Sequence, residues 1–320
     1  MGDRLSPKKE ITNSTESVIQ VQSLVKNFGP VVAVDGVSFE VHRGEIFGIL
    51  GPNGAGKTTT LEIIEGLQTP TSGTTLVLGV DTRRFPERVK ERIGVQLQAS
   101  AYFDYLTLRE ILGLFGGFYR RHIEPDELLA QVNLIDKRDT TLSKLSGGQK
   151  QRFTIAASLV NDPELVILDE PTTGLDPQAR RYLWEFIQEI HGGGKTVVLT
   201  THYMEEAQFL CQRVAIMDMG KMAALDTPAN LIRGLAMPYQ IKLQTGAPFD
   251  VVDLENLKGV QGVEANEGLS YSLLAADVGE TLSALLQLTL TRGIKVRHLE
   301  VLPATLEDVF LVLTGKQLRG

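Results

Sequence analysis

A glycine-rich segment at residues 51–58, Gly-Pro-Asn-Gly-Ala-Gly-Lys-Thr, places the tightest constraint on how this chain can fold. It follows a strand-like run at residues 45–50 and precedes a helical stretch, so it is expected to form the turn between them. Glycines let such a turn wrap with its backbone N–H groups inward, where they and the positive end of the helix bind phosphate oxygens. Lys57 is then expected to reach the β- and γ-phosphates of a nucleotide, and the Thr58 hydroxyl to bind Mg²⁺. The alternative, a glycine-rich turn with a chance lysine, is disfavoured by the flanking strand and helix.

Two carboxylates follow a second apolar run. The chain reads Leu-Val-Ile-Leu at residues 165–168 and continues with Asp169 and Glu170. Sheets of the α/β class hold their ligands at the carboxyl ends of their strands, so Asp169 is expected to bind Mg²⁺. Glu170 is placed to polarise a water for attack on the γ-phosphate. A solvated acidic pair is the ordinary alternative, and the phosphate loop upstream favours the catalytic interpretation.

Composition excludes several other classes of protein. A length of 320 residues exceeds one ordinary core, and 42% hydrophobic residues are typical of a folded chain with two domains. Because 32 Lys and Arg stand against 39 Asp and Glu, the net charge is −7, which disfavours nucleic acid as a partner. The single cysteine, Cys211, excludes an intrachain disulfide and a cysteine-based zinc site. No apolar run approaches the ~20 residues that span a bilayer, so we expect a cytoplasmic protein.

A second anion site is predicted at residues 145–149, Leu-Ser-Gly-Gly-Gln. Ser146 precedes a helical run at residues 152–160, so its hydroxyl and the amides of Gly147 and Gly148 are expected to cap a helix N-terminus. One phosphate loop already surrounds one triphosphate. A second phosphate-seeking helix end therefore suggests the nucleotide of another chain, and a plain Ser-Gly helix cap is the alternative.

Together these segments resemble the ATP-binding subunit of an ABC transporter, over roughly residues 18–235. Residues 51–59 resemble its Walker A loop, residues 145–149 its signature motif, residues 165–170 its Walker B strand and residues 174–176 its D-loop. His202, after two threonines, resembles the switch histidine that contacts the γ-phosphate. The resemblance implies ATP and Mg²⁺, with nucleotide-binding residues Phe28, Gly51, Asn53, Gly54, Ala55, Gly56, Lys57, Thr58, Thr59, Ser146, Gly147, Gly148, Gln149 and Asp176. It further implies the catalytic residues Lys57, Gln98, Glu170 and His202, and the metal ligands Thr58, Gln98 and Asp169.

Three of these assignments leave alternatives open. The glutamine of the Q-loop, which helps to place metal and water, is assigned to Gln98, with Gln96 as its rival. Phe28 stands where the family often has a tyrosine that stacks on adenine, and a phenylalanine keeps that stacking face. Its alternative is a core aromatic beside the first strand. His202 alone would be a structural histidine, and its place at a strand end beside the other motifs favours the phosphate contact.

The order of elements predicts an α/β protein, a P-loop NTPase of the ABC ATPase type with a helical insertion at about residues 99–160. From residue 239 the pattern changes to βαββαβ, a small ferredoxin-like α+β domain with a hairpin across Glu267 and Gly268 and a closing helix at residues 306–313. We therefore expect a flexible tail at residues 1–17, the ATPase domain at residues 18–236, and a regulatory or dimerisation domain at residues 237–320.

The end of the chain narrows the subfamily. Residues 306–315, Leu-Glu-Asp-Val-Phe-Leu-Val-Leu-Thr-Gly, are similar to the tail of the daunorubicin-resistance type of multidrug exporter subunits, which implies export. One Walker A loop and one signature per chain imply a homodimer with two ATP molecules at its interface. The resemblance also implies a separate integral-membrane permease, contacted near residues 98–105 at the cytoplasmic face of the cell membrane. Drug, lipid and polysaccharide substrates stay open.

Two rival interpretations belong to other functional classes. A soluble ABC ATPase without a transport role usually carries two cassettes or a long coiled-coil insertion, and neither is present here. A regulatory nucleotide sensor without catalysis is opposed by the intact Glu170 and His202.

Overall fold

The computed structural model describes residues 16–96, 103 and 105–315. Most of the predicted tail and the segment 97–102, which contains Gln98, lie outside the described residues. The strands are β1 Ser17–Phe28, β2 Val31–His42, β3 Ile46–Leu50, β4 Ser72–Val77, β5 Val80–Asp81, β6 Ile93–Gln96, β7 Leu165–Asp169, β8 Thr196–Thr201, β9 Arg213–Asp218, β10 Lys221–Asp226, β11 Tyr239–Thr245, β12 Val260–Asn266, β13 Ser270–Ala275 and β14 Val296–Pro303. The helices are α1 Lys57–Ile64, α2 Pro86–Lys90, α3 Leu108–Gly116, α4 Pro125–Gln131, α5 Gly147–Ser158, α6 Pro177–Gly192, α7 Met204–Leu210, α8 Pro228–Arg233, α9 Val251–Glu255, α10 Val278–Arg292 and α11 Leu306–Thr314.

A six-stranded sheet in the order β10-β9-β3-β8-β7-β6 forms the centre of the ATPase part. The strands from β9 to β6 are parallel, and β10 adds an antiparallel edge. The register pairs Leu50 with Thr201 and Asp169 with Thr200. The strands predicted at residues 45–50 and 165–168 are confirmed as β3 and β7. Their carboxyl ends meet at one edge, which brings together the segments that follow them.

Both faces of the central sheet are covered, which explains why β3, β7 and β8 are buried along their whole length. One face, with Phe47 and Ile167, packs against α1 and a second, antiparallel sheet in the order β2-β1-β4-β5. The other face, with Leu168, packs against the helices that carry Phe153 and Trp184. The phosphate loop is therefore attached to a rigid layered core.

The predicted helical insertion is confirmed in the described residues between β6 and β7. They contain α3, α4 and α5, with 3₁₀ turns at Ile135–Lys137 and Leu142–Lys144. Leu108, Ile111 and Leu128 are fully buried and join the core on the helical side of the sheet. Because these apolar residues pack on the same core as β7, the insertion is part of the ATPase fold.

The ferredoxin-like order βαββαβ is confirmed after residue 239. β11 to β14 form an antiparallel sheet in the order β12-β13-β11-β14, with α9 and α10 as the two helices. The predicted hairpin joins β12 to β13, and Gly268, with φ of 73°, supplies the left-handed backbone of its turn. This part of the chain has a separate core, in which Ile241, Leu254 and Leu285 are buried.

The last helix, α11, packs outside that ferredoxin-like core. Its buried residues Leu306, Val309 and Phe310 belong to the main core of the ATPase part, where α11 contacts α7 and α8. The apolar stripe of a short helix predicts that it packs but not which surface it covers, so its partner was not readable from sequence. The domain boundary at residue 237 stays a prediction. The helix α11 follows that boundary in sequence but packs on the ATPase core. Among the described residues, no helix is long and apolar enough to cross a membrane.

Candidate nucleotide-binding and catalytic site

The loop at residues 51–56 joins β3 to α1 in a conformation that glycine alone accommodates at two positions. Gly56 has φ of 97°, and a Cβ there would lie 2.4 Å from the carbonyl oxygen of Ala33 at the start of β2. Gly51 has φ of 156°, and its Cβ would lie 2.3 Å from the carbonyl oxygen of Met217. Any side chain at either position would push the loop off β2 or β9. The glycines therefore fix where the N-terminus of α1, with its free first-turn amides, points.

The side chain of Lys57 folds back over this loop. Its Nζ donates to the carbonyl oxygens of Gly51 at 2.9 Å and Pro52 at 3.2 Å. The same nitrogen lies 3.6 Å from Oε1 of Glu170. Burial lowers the pKa of Lys57, and the nearby carboxylates of Glu170 and Asp169 oppose that shift. Lys57 is thus a buried cation facing the strand ends.

The hydroxyl of Thr58 and the carboxylate of Asp169 lie side by side, as the sequence predicts for a metal site. Thr58 Oγ1 donates to Asp169 Oδ2 at 3.3 Å. The other carboxylate oxygen, Oδ1, accepts from the Thr200 hydroxyl on the neighbouring strand β8. A hydroxyl and a carboxylate are the hard oxygen ligands that Mg²⁺ prefers, so this pair fits the ion.

Glu170 occupies the centre of the group. Its Oε1 is 3.4 Å from Nδ1 of His202 as well as close to Lys57, and its Oε2 accepts from the Thr173 hydroxyl at 3.2 Å. The backbone N–H of Glu170 donates to Thr200 Oγ1 at 3.0 Å. With φ of 48°, Glu170 has a left-handed backbone that is uncommon for a residue with a side chain. Such strained residues concentrate at functional sites, and the carboxylate of this residue lies beside Lys57 and His202.

The signature segment forms a separate cluster at the start of α5. Ser146 is the N-cap of this helix: its Oγ accepts from the N–H of Gln149 at 3.4 Å, and Oε1 of Gln149 accepts from the N–H of Ser146 at 3.0 Å. The predicted helix cap is therefore present. Ser146 and Gly147 are exposed, and nothing lies within 4 Å of a Cβ built at Gly147. The helix end is open to a partner molecule.

Asp176 caps the helix next to this cluster. Its Oδ1 accepts from the N–H of Ala179 at 2.9 Å, so it forms the N-cap of α6. A Cβ built at Gly148 would touch Cβ of Ala179 at 3.3 Å. The starts of α5 and α6 therefore pack together, and the D-loop and signature residues lie on neighbouring surfaces.

Phe28 lies at the end of β1, where β1 turns into β2, the strand that meets the phosphate loop. Its side chain is 46% exposed, which is unlike a core aromatic, and Lys26 Nζ lies 4.8 Å from the ring centroid. Val31 and Val32 beside it are also exposed. An exposed ring with apolar neighbours can stack on a flat base.

The remaining predicted residues lie in the phosphate loop or at the end of β6. Asn53, Ala55 and Thr59 lie in or directly after the phosphate loop, where the Ala55 N–H donates to Pro52 O at 3.1 Å. Gln98 lies outside the described residues, whereas its rival Gln96 is buried at the carboxyl end of β6. Sequence reasoning missed Thr200, whose hydroxyl donates to the Asp169 carboxylate and accepts from the backbone N–H of Glu170. Its only signal was a threonine at a strand end, since the pairing of Thr200 with Asp169 depends on strand order.

Comparison with known proteins decides the family. Residues 34–173 match the ABC transporter family, and residues 233–314 match the C-terminal domain of DrrA1-3-like ATP-binding proteins. The chain is 38% identical over 318 residues to the Nod factor export ATP-binding protein I of Paraburkholderia xenovorans, covering 95% of this chain and 99% of the relative. The chain belongs to the ABC transporter family.

Two further relatives of this ABC subunit agree with that assignment. The linearmycin resistance ATP-binding protein LnrL of Bacillus subtilis is 36% identical over 310 residues, which cover 94% of this chain and 100% of the relative. A solved dimeric ATP-binding cassette in a post-hydrolysis state, bound to ADP and Pi, has a TM-score of 0.60 at 27% identity and covers 65% of this chain and 98% of that chain. The protein is thus an ATP-binding subunit of an ABC transporter of the DrrA type, and its enzymatic activity is ATP hydrolysis.

Proposed function

We propose that two copies of this chain close over two ATP molecules and drive a separate membrane permease that exports a drug-like or lipid-like molecule. The observation that carries the proposal is the meeting of Thr58, Asp169, Glu170, Lys57 and His202 at the carboxyl ends of β3, β7 and β8. Phosphoryl transfer depends on positioning and electrostatics rather than on covalent chemistry by the protein. The site supplies what phosphoryl transfer needs: a pair of residues that can bind a metal, a carboxylate base, and two hydrogen-bond donors.

In this proposal the Walker A loop holds the phosphates and Phe28 holds the adenine. The backbone amides around Gly51, Gly54 and Gly56, together with those that begin α1, point at the phosphate oxygens, as the helix N-terminus favours negative charge. The Asn53, Ala55 and Thr59 positions complete the loop. The exposed ring of Phe28, with Lys26 over one face, offers its other face for stacking.

Thr58 and Asp169 are the proposed ligands of Mg²⁺, with Gln98 as a third. The ion, when bound, neutralises charge on the β- and γ-phosphates. Thr200 holds the Asp169 carboxylate in place, because its hydroxyl donates to the carboxylate oxygen that does not face Thr58.

Glu170 is the proposed general base and His202 the proposed γ-phosphate contact. Lys57 now lies against Glu170 and the loop carbonyls, and its shift to the phosphate oxygens of ATP would free the carboxylate to accept a proton from the attacking water. The His202 ring, 3.4 Å from Glu170, can donate an N–H to the γ-phosphate in the same region.

The proposal requires a second copy of the chain, because each chain has one Walker A loop and one signature. Residues 146–149 form a helix N-terminus at which Ser146 and Gly147 are exposed, and this helix end can bind the γ-phosphate of ATP held by the partner. Asp176, on the neighbouring surface, would communicate between the two sites. ATP contacts both chains and favours the closed dimer, and hydrolysis removes that preference. The dimeric architecture of the solved relative supports this arrangement.

The permease is proposed as a separate integral-membrane chain that binds at the inner, cytoplasmic face of the membrane. One relative is named for Nod factor export and another for linearmycin resistance, and these names support export as the direction of transport. Phe103 and Tyr105, before α3, are 57% and 95% exposed and supply an apolar contact for the permease. We assign the ferredoxin-like domain within residues 237–320 to bracing or regulating the dimer, and no role with nucleic acid is proposed.

The deciding experiment is affinity purification of this chain from detergent-solubilised native membranes, followed by identification of the recovered proteins. We expect a polytopic membrane protein in near-stoichiometric amount. Tyr105→Asp should abolish its recovery, whereas Phe85→Asp, at a half-exposed aromatic just before α2, should not. Recovery of the chain from the soluble fraction alone, without a membrane protein, would indicate a non-transport ABC ATPase.

Export itself is tested with the recovered permease. In inside-out vesicles that contain both chains, an exporter accumulates its substrate only when ATP is supplied. We expect ATP-dependent uptake of a fluorescent amphiphile and none with Lys57→Ala. Uptake into right-side-out vesicles loaded with ATP would instead show import.

A further inference from the structure

The ring of Tyr203 lies between the switch histidine and the helix that begins at the D-loop. Its centroid is 4.1 Å from the centroid of His202, with the ring planes at 42°. The same ring also contacts Arg180, whose Cζ lies 4.2 Å from the Tyr203 centroid. Arg180 belongs to the first turn of α6, since its N–H donates to the carbonyl oxygen of Asp176 at 3.0 Å. A continuous row of contacts therefore runs from the D-loop to His202.

A buried carboxylate joins the helix that carries Arg180 to the helix that follows Tyr203. Glu206, on the first turn of α7, is fully buried, and its Oε1 accepts from Nε1 of Trp184 on α6 at 2.9 Å. Burial raises the pKa of Glu206, while hydroxyls of Thr201 and Thr172, the Trp184 indole and the charge of Arg180 all oppose the shift. The carboxylate thus binds α6 to α7 and attracts the guanidinium that covers Tyr203.

The guanidinium of Arg180 is held by its stacking. Its Nε is buried without a hydrogen-bond acceptor among the described residues. A guanidinium over the face of an aromatic ring is attracted by the negative charge of that face, so the stack is a defined arrangement. The backbone holds the other end, because the Tyr203 N–H donates to Thr201 Oγ1 at 2.9 Å.

We propose that Tyr203 is a positioning residue for ATP hydrolysis: packed against Arg180, which lies on a helix that Glu206 joins to α7, its ring fixes the His202 imidazole beside Glu170 and couples it to the D-loop helix within the same chain. The proposal rests on the role of His202 given above. A ring packed at 4.1 Å restricts rotation of the imidazole, and a histidine without that contact samples orientations that miss the γ-phosphate. Movement of α6 when a second chain binds at Asp176 would reach His202 through the same contacts.

Steady-state ATPase kinetics of Tyr203→Ala test the proposal. We expect kcat to fall about tenfold while KM for ATP stays within about twofold, because Tyr203 acts on the transition state and not on nucleotide binding. Tyr203→Phe keeps the ring and should restore most of that loss. Phe209→Ala is the matched control: Phe209 is an aromatic on the same helix that stacks on Trp184 at 5.1 Å, away from His202. It should leave kcat unchanged.

The double variant His202→Ala/Tyr203→Ala separates positioning from a general structural role. If Tyr203 acts through His202, the double variant has the same kcat as His202→Ala alone. Losses that multiply, or a Tyr203→Phe as slow as Tyr203→Ala, would overturn the proposal. If Tyr203→Ala fails to fold, Arg180→Gln takes its place and should show the same fall in kcat with KM for ATP nearly unchanged. Unfolding is followed by Trp184 fluorescence, since Trp184 is the only tryptophan.

The outcome also distinguishes this inference from the proposed function. A His202→Ala protein with wild-type kcat would remove the assigned role of His202, and with it the positioning role. A His202→Ala protein that loses activity beside a fully active Tyr203→Ala protein would overturn the positioning role alone.

Discussion

The Nζ atom of Lys57 lies 3.6 Å from Oε1 of Glu170, and both side chains are almost fully buried. In this state the cation that is assigned to the phosphates neutralises the carboxylate that is assigned to the water. We therefore expect ATP and Glu170 to compete for Lys57. On the proposed roles, the carboxylate becomes free to act as a base only when a nucleotide draws the lysine away.

Replacing Glu170 by Gln should separate binding from hydrolysis. We expect kcat to fall by about two orders of magnitude or more, the usual loss for a missing general base. Nucleotide affinity should be kept or increased, because Lys57 no longer pairs with a carboxylate. Steady-state ATPase rates and ATP titrations measure both, and light scattering should detect an ATP-bound dimer.

Glu164→Gln is the control for that substitution. Glu164 is a surface carboxylate that pairs with Arg43 and Arg92 at the other end of β7. Its variant should hydrolyse ATP at the wild-type rate. A Glu170→Gln protein that keeps half or more of wild-type kcat would rule out the general-base role.

The stability of the protein should depend on pH through Glu65, at the end of α1. Burial, with added repulsion from Asp169 and Glu62, raises the pKa of Glu65 from 4.5 to about 8. The folded state therefore keeps a proton that the unfolded chain releases above pH 4.5. Its contribution to stability falls as pH rises from 4.5 towards 8 and is constant above that, at roughly 1.4 kcal/mol per unit of pKa difference.

Glu65→Gln should remove this dependence. Relative to the wild type, the free energy of unfolding of the variant should rise by a few kcal/mol between pH 5 and pH 8, as measured by denaturant titration. Glu91→Gln, at an exposed carboxylate, should show no such change relative to the wild type. A constant difference between Glu65→Gln and the wild type over this range would show that Glu65 is ionised in the folded protein.

The fold and the phosphate site could be predicted because their signals are local. A strand, six loop residues and a helix in sequence suffice to place Gly51, Lys57 and Thr58. The hairpin across Gly268 and the alternation of strands and helices were enough for the ferredoxin-like order. These features depend on neighbours along the chain, so the sequence contains them directly.

The features that sequence reasoning missed depend on residues far apart in the chain. Thr200 contacts Asp169 because β7 pairs with β8 in a particular register, which no local pattern specifies. Arg180 contacts Tyr203 because α6 and α7 pack together. In each case the residue type was ordinary and its tertiary neighbour gave it a role.

Phe28 should contribute to nucleotide affinity through stacking alone. Phe28→Ala should raise KM for ATP by a few-fold, the loss expected from one aromatic contact of ~1 kcal/mol, with kcat nearly unchanged. Phe28→Tyr should match the wild type. The control is Phe85→Ala, since Phe85 is 50% exposed and has Arg88 over its ring at 5.2 Å, as Phe28 has Lys26. An equal effect at both positions would mean that Phe28 does not touch the base.

Two helix caps with the same geometry allow the signature serine to be tested. Ser146 Oγ accepts from the N–H of Gln149 at 3.4 Å, and Thr107 Oγ1 accepts from the N–H of Glu110 at 3.3 Å, each within a capping box. Ser146→Ala and Thr107→Ala should each cost ~1 kcal/mol of stability. Only Ser146→Ala should weaken ATP-induced dimerisation and slow hydrolysis. Equal ATPase rates in the two variants would show that Ser146 only caps the helix and does not act in hydrolysis.

The last helix should stabilise the ATPase core even though it follows the ferredoxin-like domain in sequence. Phe310 is 1% exposed and packs in the cluster that contains Trp184 and the residues of α7. Phe310→Ala should lower the free energy of unfolding by about 3–5 kcal/mol, the usual loss for a buried phenylalanine. Because Trp184 is the only tryptophan and lies on α6, its fluorescence reports the unfolding of the ATPase core itself.

The control for Phe310→Ala is Val312→Ala, at a residue of α11 that is 68% exposed. It should change the free energy of that transition by less than ~0.5 kcal/mol. A Trp184 transition that is the same in Phe310→Ala and the wild type would show that α11 is dispensable for the core. If the transition does shift, deleting everything after Met237 would damage the ATPase domain, and the C-terminal domain must be studied with α11 kept in place.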